Sequence, residues 1–244
     1  MFDTIRYVKY HRIVMKLSGG AMSGEAGWGF DPKAINHIAD EIMQLHHEEI
    51  QVAVMVGGGN IFKGELADTW RIERAEADNI GMMATVINSL LLRGVLQSRG
   101  DAEVRVMTAI PINTVAEPYI RLRAIRHLEH QIIVLLAAGT GNPYVTTDYP
   151  AVQRALELRA DALLAAKNGI DGVYTSDPNK NPSARRYLSI SYDKVIADNL
   201  KVLDHSAVLL ARDHDLPIHV FDFDAPGVMF RICNGEEVGT RIGV

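Results

Sequence analysis

Short, continuously apolar runs alternate along the chain with stretches in which apolar positions recur every third or fourth residue. The first kind reads as strands buried on both faces, the second as helices with one buried stripe. Arg12–Leu17 (RIVMKL), Gln51–Val56 (QVAVMV), Val104–Thr108, Ile132–Ala137, Ala162–Ala166 and Pro217–Phe221 are the expected strands. Asp31 caps a helix with Pro32 in its first turn, and Ile35, Ile38, Ala39, Ile42 and Leu45 share one face of it. Further helices are expected over about Arg71–Gln97, from Glu117-Pro118, from Asp148 to near Asp161, and after Ser191 and Asp204. Residues Gly169–Ala184 are rich in Gly, Asp, Asn and Pro and read as a loop, while Glu236–Val244 offers a small edge strand. Strands joined by helical crossovers give an α/β chain: a three-layer αβα sandwich around a central, mostly parallel sheet, in a single domain.

Composition narrows the class. With 48% hydrophobic residues among 244, the chain can bury a substantial core. Its formal charge of −5 offers no bulk attraction to nucleic acid or anionic membrane. No run reaches the ~18 apolar residues of a membrane span, and the charged start MFDTIRYVKYHR lacks the apolar core of a signal peptide. The cytoplasm is the expected compartment. A single cysteine, Cys233, excludes an intramolecular disulfide and a thiolate metal cluster, and reads as structural.

Candidate chemistry lies where strands end. KLSGG, VGGGN and AAGTGN follow three expected strands, and ligands of open α/β sheets sit beyond the strands' carboxyl ends. Glycines let backbone N–H groups approach an anion closely. Neither GxxxxGK[ST] nor GxGxxG is present, so a P-loop and a dinucleotide fold are set aside. Lys16, inside an otherwise apolar strand, suits a phosphate, although an outward-snorkelling lysine has the same pattern. Asp148 and Asp204 start helices and serve either as caps, as partners of a lysine, or as both.

Together these segments resemble bacterial-type uridylate kinases of the amino acid kinase family. The resemblance runs from RIVMKLS to GEEVGTRI through GGGNIFKG, ADNIGMMATVIN, AIPIN, AAGTGNPYVTTD, AKNGIDGVYTSDP, KVLDHSA and PIHVFDF. It implies ATP-dependent phosphorylation of UMP to UDP by in-line transfer, with Mg²⁺ held mainly by nucleotide phosphates rather than by protein ligands. It also implies an eight-stranded sheet and a homohexamer built as three dimers. A UMP-binding part would span about 1–165 and an ATP-binding part about 166–244.

By the same resemblance, Lys16, Leu17, Ser18 and Gly19 meet the ATP phosphates, joined by Gly59 and Lys63. Asn168, Tyr174 and Asp177 surround adenine and ribose. Gly58, Asp78, Thr140, Gly141, Asn142, Pro143, Tyr144, Val145, Thr146 and Thr147 hold UMP. Lys16, Asp148, Asp204 and Lys167 form the catalytic set, with Lys201 the alternative to Lys167 as second cation. Taken alone, Asp78 reads rather as a solvent-facing helix residue.

Several positions depart from the family pattern: Gly20 for Glu, Lys63 for Arg, Leu203 for Met and Asp222 for Asn. Arg93 and Arg105 match a GTP/UTP effector site, whereas Gln97 and Arg121 do not. Two other functions share parts of this pattern. A kinase of the same fold with a carboxylate acceptor would have no use for a sugar-binding Asp78. A nucleotide sensor without turnover would not need Lys16, Asp148 and Asp204 together.

Overall fold

The computed structural model describes residues 8–100, 102–178 and 180–243. Residues 1–7 of the charged N-terminal stretch, Asn179 of the expected loop and Val244 of the expected tail strand lie outside them.

In chain order the structure runs β1 (Arg12–Leu17), α1 (Pro32–His47), β2 (Gln51–Val56), α2 (Gly64–Trp70), α3 (Arg74–Gln97), β3 (Val104–Thr108) and β4 (Glu117–Pro118). There follow α4 (Arg121–Glu129), β5 (Ile133–Ala137), α5 (Asp148–Glu157), β6 (Ala162–Lys167) and β7 (Ser189–Ile190). The chain closes with α6 (Tyr192–Ala197), α7 (His205–Asp213), β8 (Ile218–Asp222), α8 (Val228–Cys233) and β9 (Thr240–Ile242). The strands form one sheet in the order β4-β3-β5-β2-β1-β6-β8-β9-β7. All neighbours are parallel except β8 and β9.

Strands β2 to β5 lie on one side of β1, and β6 to β9 on the other. The chain reverses direction across the sheet at the β1–β6 pair, so a crevice opens beyond the carboxyl ends of these two strands. Each face of the sheet carries its own core. Ile13, Met15 and Leu17 of β1 pack with residues of α1, α3 and α8, whereas Val14 packs with α5 and α7 on the opposite face. The period of two therefore assigns Lys16 to the α5–α7 face. Ala165 of β6 shares that face, and so Lys167 does too.

Four expectations change. The helix expected over about Arg71–Gln97 is α3, but a short helix that was not expected, α2, precedes it and ends where Arg71 turns left-handed at φ 53°. Glu117-Pro118 does not open a helix but forms a two-residue edge ladder with β3, a place where proline's missing N–H costs nothing. Strand β9 is not at the edge, because β7 pairs beyond it. The sheet accordingly has nine strands rather than eight, two of them ladders of two residues.

Among the described residues α3 is the one helix long and apolar enough to cross a membrane, with 44% of its most apolar window buried. Its inner side holds Ala84, Leu92 and Leu96 in the core. Cys233 is fully buried, and burial pushes its thiol up to about 12, the state of an inert packing residue.

Candidate active site

Lys16 is 9% exposed, and its Nζ lies 2.9 Å from Asp148 Oδ1. Asp148 does not cap α5: the N-cap position belongs to Thr147, and Asp148 is the first helical residue. Its second carboxylate oxygen, Oδ2, accepts the backbone N–H of Asp204 at 3.1 Å. Asp204 occupies the N-cap position of α7 but makes no side-chain capping bond. Its carboxylate instead accepts the hydroxyl of Thr146, and that hydroxyl accepts the Asp148 N–H at 3.2 Å. Both acids thus face the crevice rather than closing their own helices.

Lys167, at the end of β6, donates from Nζ to the carbonyl of Val202 at 2.7 Å. Burial, and then the neighbouring Lys16 charge, hold its ammonium below the usual lysine value, with Asp148 and Asp204 opposing. Lys201 lies on an exposed turn beside a hollow of about 440 Å³ that Asp148, Lys167 and Asp204 also line.

Two clefts flank this cluster. The larger, about 660 Å³, is lined by Lys16, Ser18, Lys167 and Asn168 together with His37, Phe223 and Asp224. Asn168 donates to Asp224 at 3.1 Å, and Asp222 Oδ1 accepts the N–H groups of Gly169 and Asp224. The smaller, about 140 Å³, is lined by Gly58, Gly59, Asp78, Asn142, Val145, Thr146 and Thr147, with Thr85 and Gly139.

Asp78 belongs to α3, where Arg74 Nε reaches both its oxygens at 2.9 Å. Its Oδ2 also accepts the Tyr144 N–H at 2.7 Å, tying α3 to the loop after β5. Thr140, Gly141, Pro143 and Tyr144 are part of that loop but do not line the small cleft. Lys63 stands exposed at the start of α2. Tyr174, which donates to Asp171 at 2.5 Å, and Asp177 are on the 169–184 loop, outside the walls of the large cleft.

The glycine loops touch through bare backbone. A β-carbon on Gly19 would stand 2.4 Å from the Gly59 nitrogen, and one on Gly57 2.8 Å from the Gly19 nitrogen. A β-carbon on Gly58 would meet the Gly81 carbonyl at 2.7 Å, whereas at Gly59 nothing lies within 4 Å. Two residues that sequence reasoning did not assign hold these loops in place. Asn60 and Asn88, both 0% exposed, exchange amide hydrogen bonds at 3.2 and 2.6 Å. Asn60 also donates to Gly29 O and Asn88 to Gly57 O. The available signal was an asparagine in the apolar run MMATVINSLLL, since a buried amide must find partners.

Among the described residues no group of three or more His, Cys, Asp or Glu side chains could hold a metal ion. The carboxylates nearest the lysines are already engaged, Asp148 by Lys16 and Asp204 by Thr146.

A mostly parallel sheet whose switch-point crevice sets Lys16 and Lys167 beside Asp148 and Asp204, with glycine loops on both sides and no P-loop motif, has the features of a phosphotransferase. The chain belongs to the amino acid kinase family, whose sequence pattern matches residues 11–222. Within that family its relatives include the uridylate kinase of Frankia alni, 57% identical over 96% of this chain and 91% of the relative. The crystal structure of UMP kinase from Bacillus anthracis superimposes with a TM-score of 0.94 at 56% identity, covering 96% of each chain. UMP kinase from Ureaplasma parvum gives 0.90 at 33% identity, over 96% of this chain and 99% of that one.

Proposed function

We propose that the protein transfers the γ-phosphoryl group of ATP to UMP, releasing UDP and ADP. The observation that carries this reading is the cluster Lys16–Asp148–Asp204, standing where the large cleft and the small cleft approach each other. The large cleft takes ATP, with Lys16 and Lys167 on its phosphates and Asn168 in its wall, while Tyr174 and Asp177 stand beyond the wall on the 169–184 loop, on the side assigned to adenine and ribose. The small cleft takes UMP, with Asp78 and the loop 140–147 around it.

The acceptor oxygen belongs to a phosphate monoester, which is largely ionised at neutral pH because its second pKa is about 6. No general base is needed. The work left to the protein is to align two anions and neutralise charge on the moving group. Asp148 serves that task by fixing Lys16, and the Asp204–Thr146 contact joins the donor side to the acceptor loop. Mg²⁺, when bound with ATP, supplies further neutralisation of the phosphates.

The reading extends to a cytoplasmic homohexamer with GTP and UTP as effectors. In its support, the outer side of α3 exposes Ile80, Met83 and Ile87, more apolar surface than one core-facing helix requires. A coupled assay with ATP, Mg²⁺ and each of UMP, CMP, GMP and acetylglutamate tests the assignment. Turnover confined to UMP is expected; turnover of acetylglutamate, or of none of the four, overturns it.

A further inference from the structure

We propose that Arg154, which lines neither cleft, is a positioning residue for the acceptor loop; the proposal rests on the reading of residues 140–147 as the UMP side. Arg154 is on α5 and is 8% exposed. Its Nη2 donates to the carbonyl of Gly139 at 3.3 Å, and its Nη1 to Glu157 Oε2 at 2.6 Å. The guanidinium carbon stands 3.8 Å from the centre of the Tyr119 ring. The Tyr119 hydroxyl donates to the same Glu157 oxygen at 2.6 Å, and Gln153 donates to Glu157 Oε1 at 3.1 Å.

The loop needs such a hold at this point. Its first two residues, Ala138 and Gly139, have φ values of 61° and 54°. For alanine that conformation is strained, because its β-carbon crowds the backbone. Two helices grip the turn from different sides. Thr85 of α3 accepts the Ala138 N–H at 2.7 Å, and Arg154 of α5 donates to the Gly139 carbonyl. One turn later the loop lines the small cleft through Asn142, Val145, Thr146 and Thr147.

A helical ion pair three residues apart would need only Arg154 and Glu157. The ring contact and the bond to Gly139 O go beyond that. The planar fork of arginine serves carboxylate and carbonyl at once with its carbon over the ring, and a lysine ammonium cannot do all three. Glu157 and Tyr119 orient the guanidinium, which in turn orients the loop.

Arg154→Lys and Arg154→Met are to be compared with wild type for KM of UMP, KM of ATP, kcat and Tm. In Arg154→Lys the KM for UMP is expected to rise about fivefold or more, with KM for ATP within about twofold, the signature of lost acceptor binding. Arg154→Met is expected to show the same split more strongly, and should it fail to fold, the lysine variant carries the test. An unchanged KM for UMP with a lower Tm would mean a purely structural ion pair. An equal rise in both KM values would mean general loosening, and either result overturns the proposal. Wild-type protein that leaves UMP unphosphorylated would instead overturn the functional reading beneath it.

Discussion

Lys16 and Asp148, one at the end of a central strand and the other at the start of a helix, meet at 2.9 Å with both side chains largely buried. Neither neutralises the other at no cost: a buried pair regains little beyond its desolvation, and losing one partner is severe. Asp148→Asn keeps the shape of the side chain and removes the charge that fixes Lys16. We expect kcat to fall by about 10²-fold or more, on the scale of lost preorganised electrostatics. Steady-state kinetics beside a melting curve checks this; full activity with a lowered Tm would leave Asp148 a structural residue only.

Lys16→Ala should act on the chemical step. Its charge is placed where negative charge on the transferring group is neutralised, so kcat is expected to collapse far more than UMP binding weakens. The outcome that contradicts this is an unchanged kcat with only a raised KM for UMP.

Asp78 is expected to read the sugar of the acceptor. UMP and dUMP share a base and a phosphate, so any preference must come from the ribose hydroxyl. Sites built around a substrate hydroxyl reject its deoxy analogue strongly. Wild type should prefer UMP to dUMP in kcat/KM by at least about tenfold, and Asp78→Ala should bring the ratio toward unity with KM for ATP nearly unchanged. Because Asp78 also accepts the Tyr144 N–H, a general drop in acceptor use is expected as well. The ratio is therefore the decisive quantity, and its survival in the variant would remove Asp78 from sugar recognition.

His219 gives the fold an acid-sensitive element. It is 5% exposed and hydrogen-bonded to the Tyr10 hydroxyl at 3.0 Å. Burial, then the charges of Arg241 and Lys9, push its imidazole down to about 4 from the ordinary 6.5. Between those values the unfolded chain binds a proton that the folded chain refuses, so stability is lost as pH falls from about 6.5 toward 4. The loss attributable to this residue is on the order of 3 kcal/mol. Denaturant titrations at several pH values should show a flatter dependence in His219→Gln over that window; parallel curves would refute the assignment.

Assembly is the remaining expectation. Ile80, Met83 and Ile87 are 40%, 37% and 49% exposed along α3. Light scattering at micromolar concentration should give a species near six times 26.9 kDa, and a clean monomer would contradict it.

Local rules reached a good deal of this structure. RIVMKL and QVAVMV are strands at the bounds their patterns suggest, and Asp31 accepts the Ala34 N–H at 2.8 Å as a cap should. What they missed depends on partners distant in the chain. Arg71 is left-handed without being glycine, so no turn residue marks the break between α2 and α3. Glu117-Pro118 has the sequence of a helix start, but β3 claims it as a strand. Asp148 and Asp204 sit at helix starts as expected, yet the direction of their carboxylates is decided by Lys16 and Thr146, which no spacing reveals. The roles of Asn60, Asn88 and Arg154 likewise arise only when separate segments come together.

The backbone contact between Gly19 and the Gly57–Gly59 turn restricts how this protein can change by mutation. Where two loops meet through side chains, an enlargement on one can be offset by a trimming on the other, and the pair drifts together over generations. Here trimming cannot suffice: besides the Asn60 side chain, a new methyl group at Gly19 would strike the peptide nitrogens of Gly59 and Asn60. A substitution on either side can be accommodated only by moving the main chain of the other, and with it the spacing between the two clefts. Variation in substrate preference is therefore expected to arise in the 137–147 and 169–184 loops, while these glycines stay the same.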